Sequence, residues 1–98
     1  MQSLRVTNYK ITKGTFPEIV DDAKAGMLKT FKAQPGFLRY GIADTGDGTC
    51  LSISLWETHA QADAAAPVAA TWVREHIADR VELRSNQTGD LAFFEGVP

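Results

Sequence analysis

Apolar and polar residues alternate along three stretches of the chain in the way that is typical of β-strands. These stretches are residues 4–12 (LRVTNYKIT), 37–44 (FLRYGIAD) and 49–57 (TCLSISLWE). All three are rich in β-branched and aromatic side chains, which fit a pleated sheet. A fourth strand is predicted to run from residue 80 to about Leu83, before a Gly-Asp turn and a short apolar end, LAFF.

The stretch between the first two strands has the apolar spacing of a helix. Thr15, followed three residues later by Glu18, forms a capping box, in which the two side chains bind free backbone amides. Apolar residues then recur every three or four positions until Pro35-Gly36 ends the helix. Gly26 lies in the middle, where we expect it to weaken the helix by roughly 1 kcal/mol relative to alanine.

A second helix is predicted after the third strand. Thr58 and Gln61 form another capping box, and many of the residues that follow are alanine, which favours a helix. Pro67 is expected to break or kink this helix, because proline lacks the amide hydrogen that a helix interior needs. One face then carries five residues that we expect to be buried or to line a cavity: Val68, Trp72, Val73, His76 and Ile77.

The loop between the second and third strands has two interpretations. IADTGDGT, residues 42–49, contains the apolar-Asp-Thr-Gly pattern with which aspartic proteases present a catalytic carboxylate. A protease of that type requires an all-β chain, whereas here a capped helix precedes the motif. The Gly and Asp residues instead favour a hairpin loop, in which Asp44 binds nearby backbone amides.

The element order β-α-β-β-α-β predicts an α+β fold of the ferredoxin-like type. In this fold two helices cover one face of a four-stranded antiparallel sheet, and the other face is bare. The third strand nevertheless has apolar side chains on both faces. Leu51 and Ile53 point to one face, and Cys50 and Trp56 point to the other. The bare face is therefore expected to meet a second copy of the chain, and residues 1–98 are expected to form one domain of a homodimer.

Charge and cysteine content exclude several classes of partner and site. The net charge is −2 and the ten Lys and Arg residues are scattered, so that no basic stripe is available for nucleic acid. No apolar run approaches the roughly 18 residues of a membrane span, and the N-terminus does not resemble a signal peptide. Cys50 is the single cysteine, which excludes an internal disulfide and a cysteine-based zinc site. We expect a cytoplasmic protein.

Two segments beside the predicted hairpin resemble a known family. QPGFLRYGIAD, the Gly-Asp loop and LSISLWETHAQADA are similar to the central signature of the antibiotic biosynthesis monooxygenase superfamily. The resemblance covers nearly the whole chain and implies a dimeric α/β barrel, in which two sheets close on one another. Members include cofactor-free oxygenases of polycyclic phenols, heme-degrading enzymes, isomerases and proteins of no known activity, so the fold alone does not fix the function.

The resemblance also implies catalytic positions. In the phenol-oxidising members an Asn precedes the Trp of Leu-Trp-Glu by four residues, and a cationic group follows that Trp by twenty; here these three positions are Ser52, Trp56 and His76. Such a site has to deprotonate a phenol and hold its anion, which can then donate an electron to oxygen without a metal. His76 is the candidate base, because an imidazole is neutral and basic near pH 7.

Other residues are candidates for binding the substrate. The heme-degrading members use an Asn in the first strand, where this chain has Asn8, and a Trp and a His in the second helix, where Trp72 and His76 lie one turn apart. The Trp of those members, however, corresponds in spacing to Ala65. Tyr40 is a further candidate, since it alternates with Arg39 and only one of the two can face a pocket.

The sequence therefore leads to one hypothesis and two alternatives. The first is a cofactor-independent monooxygenase that acts on a small aromatic phenol or quinol, with no metal and no cofactor. The second is a non-catalytic, ligand-binding or stress-associated dimer that keeps the barrel and its cavity, and the third is a heme-degrading enzyme. A sealed apolar cavity would favour the non-catalytic alternative, whereas convergence of Ser52, Trp56 and His76 on one cavity would favour catalysis.

Overall fold

A four-stranded antiparallel sheet forms one layer of the structure, and two helices form the other. The computed structural model describes residues 1–96. The strands are β1 (Ser3–Ile11), β2 (Phe37–Gly46), β3 (Thr49–Trp56) and β4 (Val81–Asp90), and they lie side by side in the order β2-β3-β1-β4. This is the ferredoxin-like α+β arrangement, so the predicted fold class is confirmed.

The first helix covers residues 16–32 and changes its winding in the middle. It consists of an α-helical segment (Phe16–Asp22), a π-helical segment (Ala23–Met27) and a second α-helical segment (Leu28–Lys32). The Thr15 hydroxyl accepts a hydrogen bond from the Glu18 amide at 3.4 Å, which confirms the predicted N-terminal cap. Wider π-helical turns of this kind are rare and are found mostly as single insertions in α-helices.

Gly26 lies in the π-helical segment and faces the indole of Trp72. A Cβ atom at this position would lie 2.6 Å from both Cζ2 and Nε1 of that ring. The glycine was expected only to weaken the helix; in the structure it allows the indole of Trp72 on the second helix to approach the backbone of the first closely. The close approach of the two helices therefore depends on a residue without a side chain.

The second helix (His59–His76) is continuous. Its cap is the predicted one, because the Thr58 hydroxyl accepts from the Gln61 amide at 3.2 Å. Of the expectation that Pro67 breaks or kinks the helix, the break is wrong. Pro67 and Asp63, whose carbonyl group loses its helical partner, are both exposed, so that water can bind the free carbonyl group.

The loop between β2 and β3 is a hairpin turn, as predicted. The Asp44 carboxylate accepts a hydrogen bond from the Gly46 amide at 2.9 Å. Three successive residues take positive φ angles, 85° at Gly46, 52° at Asp47 and 73° at Gly48, which a tight reversal requires. Asp44 is exposed at this turn, and the protease interpretation has no support.

Strand β4 is longer than the sequence indicates. It runs to Asp90, and the predicted turn at Gly89-Asp90 is wrong. Its polar side chains bind across to β1, since Asn8 donates to the Ser85 hydroxyl at 2.9 Å. After the strand, Phe93 and Phe94 are 79% and 67% exposed. The strand is stabilised by polar contacts, which an apolar pattern does not reveal.

Strand β1 presents polar side chains to the helices and apolar side chains to the bare face. Ser3, Arg5 and Thr7 are buried on the helix side. The bare face combines residues from β1 with their partners in β3: Leu4 opposite Leu55, Val6 opposite Ile53, and Asn8 opposite Leu51. None of the helices in the described part of the chain is long and apolar enough to cross a membrane.

Replacing Gly26 with alanine should destabilise the protein, although alanine is the better helix former. The added Cβ would overlap the Trp72 ring, and overpacking a core of this kind costs about 1–3 kcal/mol. The melting temperature should fall by roughly 4–8 °C per kcal/mol. In a Trp72→Phe background, Gly26→Ala should lower the melting temperature by less than it does in the unchanged protein, because the smaller phenylalanine ring leaves room for the added Cβ. An unchanged or higher melting temperature for Gly26→Ala would contradict the close packing.

Candidate functional site

An enclosed cavity lies between the helix-covered face of the sheet and the two helices. Its volume is about 30 Å³, which is room for one or two groups the size of a water molecule. Met27, Phe31 and Trp72 of the helices contribute to its apolar wall. Its polar side chains come from the sheet: Arg5, Thr7, Tyr9, Tyr40 and Ser52.

A wider groove adjoins this cavity between the second helix and strands β1 and β4. Its volume is about 280 Å³, which exceeds the roughly 150 Å³ of an apolar cavity that binds benzene in another protein. The cavity and the groove share six lining residues: Arg5, Thr7, Tyr9, Ala69, Val73 and Val81. A ring in the groove could therefore place a small substituent in the cavity.

Three of the six predicted site residues line the cavity, namely Ser52, Tyr40 and Trp72. Trp56 does not. It is fully buried, with ring centroids 5.3 Å from Phe31 and 5.5 Å from Phe37 in edge-to-face contact. Its indole nitrogen donates to the Ser54 hydroxyl at 2.9 Å, so Trp56 is a core residue whose hydrogen-bond donor is already used.

His76 also lies outside the cavity. Its ring is exposed and stacks on the opposite side of Trp72, with centroids 4.7 Å apart and planes inclined by 15°. Its Nδ1 atom lies 2.8 Å from the Trp72 carbonyl oxygen. The expectation that Ser52, Trp56 and His76 converge is therefore wrong, because the helix turns the imidazole to its outer surface.

Asn8 lies on the other face of the sheet. It pairs with Leu51 of β3 and binds Ser85 of β4, away from the helices. The heme hypothesis needs Asn8, Trp72 and His76 around one macrocycle. Trp72 and His76 are stacked and line one groove, whereas Asn8 lies on the other face of the sheet. In residues 1–96, no cluster of three or more His, Cys, Asp or Glu side chains could hold a metal ion. These residues do not fit a heme site.

Tyr40 and Ser52 both line the cavity. Burial raises the pKa of Tyr40 to about 12, although a hydrogen bond from Ser52 opposes the rise. The edge of the Phe31 ring also contacts Tyr40, with centroids 5.1 Å apart. The phenol of Tyr40 therefore stays protonated at neutral pH and is available as a hydrogen-bond donor.

Two further side chains of the cavity stay uncharged. Burial raises the pKa of Tyr9, which the nearby Arg5 charge partly offsets. Burial also raises the pKa of the Cys50 thiol, and the charge of Asp44 adds to this. Cys50 is therefore held as a thiol rather than as the nucleophilic thiolate.

Arg5 is one of the polar cavity residues that sequence reasoning missed, together with Thr7 and Tyr9. Its side chain is 5% exposed, and one terminal nitrogen (Nη2) donates to the Asn86 side-chain oxygen at 3.2 Å. Its Nε atom is buried without a hydrogen-bond partner. Burial lowers the pKa of Arg5, but a guanidinium remains charged in proteins. The available signal was its spacing from Tyr9, which places both on one face of β1.

Comparison with solved structures identifies the fold around this site. SnoaB, a cofactor-independent oxygenase from Streptomyces nogalater, matches with a TM-score of 0.71 and 17% identity over 95% of each chain. The chain has the fold of the antibiotic biosynthesis monooxygenase superfamily. A candidate monooxygenase of this type from Chloroflexus aurantiacus matches over 100% of both chains, with a TM-score of 0.69 and 12% identity.

A structure of another kind shares the fold as well. A heme-degrading protein from Mycobacterium tuberculosis matches over 98% of this chain and 100% of its own, with a TM-score of 0.64 and 18% identity. No protein-family model and no curated protein matches the chain. Identities this low establish a shared architecture, and the chemistry has to be argued from the site itself.

A separate cluster of titratable side chains lies at the start of the second helix. The His59 ring binds Asp90 of β4 at 2.8 Å through Nδ1 and lies 3.2 Å from Asp63 through Nε2. Ser3 donates to the same Asp90 oxygen at 2.5 Å. The hydrogen bond with Asp90, followed by the charge of Asp63, raises the pKa of His59. Hydrogen bonds from Ser3 and His59 lower the pKa of Asp90.

These two shifts predict opposite pH dependences of stability. The contribution of His59 is fully present below its unfolded pKa of about 6.5 and is lost as pH rises through the higher folded value. The contribution of Asp90 is lost as pH falls through its lowered folded pKa. An NMR titration should show Asp90→Asn bringing the His59 midpoint down towards 6.5, and Asp63→Asn lowering it less. A midpoint that Asp90→Asn leaves unchanged would contradict the contact.

Proposed function

We propose that this protein is a cofactor-independent monooxygenase that oxidises a small phenol or quinol held in the groove. The observation that carries the proposal is the buried, protonated hydroxyl group of Tyr40, which lines an enclosed, largely apolar cavity together with Ser52, beside a groove of one-ring size. The likeness to SnoaB, a cofactor-independent oxygenase, supports the class of reaction. The ring of the substrate lies in the groove, and its hydroxyl group enters the cavity.

The reaction needs no external reductant. One oxygen atom of O₂ is added to a ring carbon of the quinol and the other leaves as water, while the quinol supplies all four electrons and becomes a hydroxyquinone. The substrate first loses its phenolic proton to water in the groove, and this proton returns when the second oxygen atom leaves as water. The resulting phenolate then donates the first electron to O₂, which a neutral phenol does far less readily.

Tyr40 stabilises the phenolate in this proposal. Its hydroxyl group stays protonated because burial raises its pKa to about 12, and it donates a hydrogen bond to the substrate oxygen. Fixed donors of this kind are most effective where water is excluded, and the apolar wall around Phe31 and Trp72 provides that environment.

The absence of a general base from the described cavity lining favours a second, non-catalytic function. Within the described residues, neither a carboxylate nor a histidine lines the cavity, so that no side chain of the usual basic types is placed to take the phenolic proton. A non-catalytic protein that binds a small aromatic ligand would need no such group. The two functions differ in whether bound quinol consumes oxygen.

Oxygen consumption in the presence of hydroquinone tests the enzymatic proposal. The purified protein should accelerate oxygen uptake above the spontaneous rate and produce the hydroxyquinone, detected by its visible absorbance. Tyr40→Phe should lower the turnover number by about 10²-fold, the scale of one lost anion-stabilising donor. His76→Ala should keep full activity, because the imidazole lies outside the cavity. Binding of hydroquinone without oxygen uptake would support the non-catalytic alternative.

We also propose that the bare face of the sheet pairs with a second copy of the chain. Leu4, Val6 and Ile53 lie on this face and are only partly buried within one chain. An apolar sheet face of this kind is normally covered in a soluble protein. A two-fold pair of such faces would bury the same residues in both copies and close the predicted dimeric α/β barrel.

Sedimentation at micromolar concentration tests the pairing. The protein should sediment at twice its chain mass of 10.7 kDa. Ile53→Lys should shift it to the single-chain mass, because a charged group at the centre of the face would be buried without a partner. Lys10→Ala, on the exposed end of the same strand pair, should leave the dimer intact. A monodisperse monomer in the unchanged protein would overturn the proposal.

A further inference from the structure

We infer that the groove binds the carboxylate of an aromatic acid, with Arg5 as the group that holds it. The inference rests on the proposed function only in identifying this acid as the substrate; the binding itself does not depend on catalysis. It would narrow the substrate class from phenols in general to phenols or quinols that carry a carboxylate group.

Arg5 is a buried charge, and its burial has a cost. A buried charge is normally paired with an opposite charge, yet in the described part of the chain no carboxylate oxygen lies within 4.0 Å of the Arg5 guanidinium. Its one hydrogen bond goes to the neutral side chain of Asn86, and its Nε atom has no partner. The guanidinium therefore retains unused capacity to bind an anion.

The side chains around the groove carry positive charge. Arg74 lines it together with Arg5, and among residues 1–96 no acidic side chain does so. This concentration of positive charge occurs in a chain whose net charge is −2. Arg74 is exposed at the rim, where it can attract an anion, whereas Arg5 lies at the wall that the groove shares with the cavity.

The walls of the groove favour a flat, mainly apolar ligand with one carboxylate group. A guanidinium binds a planar carboxylate through two parallel hydrogen bonds, and the rest of the groove is mainly apolar, with Val73, Val81 and Leu83 among its walls. A small inorganic anion would leave those walls without a partner. The groove therefore fits a ring with a carboxylate on one edge better than phosphate.

The placement of Arg5 is compatible with the proposed reaction. Arg5 lies on β1 and Tyr40 on β2, and β3 separates the two strands, which sets their backbones about 10 Å apart. A single ring with a carboxylate at one position and a hydroxyl group at another spans much of this separation. 2,5-Dihydroxybenzoate is a quinol of this kind, and hydroquinone is its neutral parent.

Calorimetric titration of the full chain tests the inference with three probes: benzoate, its neutral analogue benzamide, and inorganic phosphate. Benzoate should bind at least about ten-fold more tightly than benzamide or phosphate, the scale of a hydrogen-bonded charge. Arg5→Met should abolish this preference, and Arg5→Lys should reduce it. Arg84→Gln, which changes an exposed arginine outside the groove, should leave benzoate binding unchanged.

Thermal unfolding without ligand separates a binding role from a structural one. If Arg5 is an unpaired buried charge kept for binding, Arg5→Met should melt no lower than the unchanged protein, because an apolar side chain of similar size removes the cost of burying it. If Arg5→Met fails to fold, Arg5→Lys decides: weaker benzoate binding supports the inference, and unchanged binding overturns it.

Three outcomes of the binding experiments would overturn or replace the inference, and one would overturn the proposed function alone. Equal binding of benzoate and benzamide would overturn the inference, as would the absence of benzoate binding. Phosphate binding as tight as that of benzoate would replace it with a general anion site. Benzoate binding that depends on Arg5, together with no oxygen uptake on 2,5-dihydroxybenzoate, would overturn the proposed function and leave the inference standing.

Discussion

The orientation of strand β1 is the constraint on which the rest of the structure depends. The strand directs Ser3, Arg5 and Thr7 towards the helices and Leu4 and Val6 away from them. A sheet with this orientation has polar groups at the centre of the molecule and an apolar outer face. The first consequence is a polar floor for the cavity, and the second is a face that needs a partner.

The two helices cover the polar face of the sheet, and small residues and aromatic rings fill the space between the layers. Buried alanines of the second helix, such as Ala65 and Ala69, allow it to lie close to the sheet. Gly26 does the same for Trp72, and the ring of Trp72 separates the enclosed cavity from His76 on the outer surface. The same packing that stabilises the helix layer therefore decides which side chains reach the cavity.

Local signals in the sequence were sufficient to predict the fold. The caps at Thr15 and Thr58 act within three residues of themselves, and the turn at Asp44 depends on its neighbours alone. Strand β4 was only partly predicted, because its extension to Asp90 depends on polar contacts with a strand about eighty residues earlier.

The site was harder to predict, for a geometrical reason. Spacing on a helix gives the relative angles of Trp72 and His76, but the direction of the whole face is set by packing against the first helix. A difference of about 40° around the axis is enough to place one ring in the cavity wall and the other in solvent. Arg5 was missed because an arginine in a strand is normally exposed, and the face that it shares with Tyr9 is only a weak signal of burial.

The central claim is that the buried guanidinium of Arg5 is an unfilled anion site, and its Nε–H group can be observed directly. Slow exchange with solvent should make this group visible in a nitrogen–proton correlation NMR spectrum of the unliganded protein. Addition of benzoate should shift the Arg5 Nε–H proton downfield, as expected for a new charge-assisted hydrogen bond, and benzamide should not. An Arg5 signal that benzoate leaves in place, while other groove residues shift, would contradict the account.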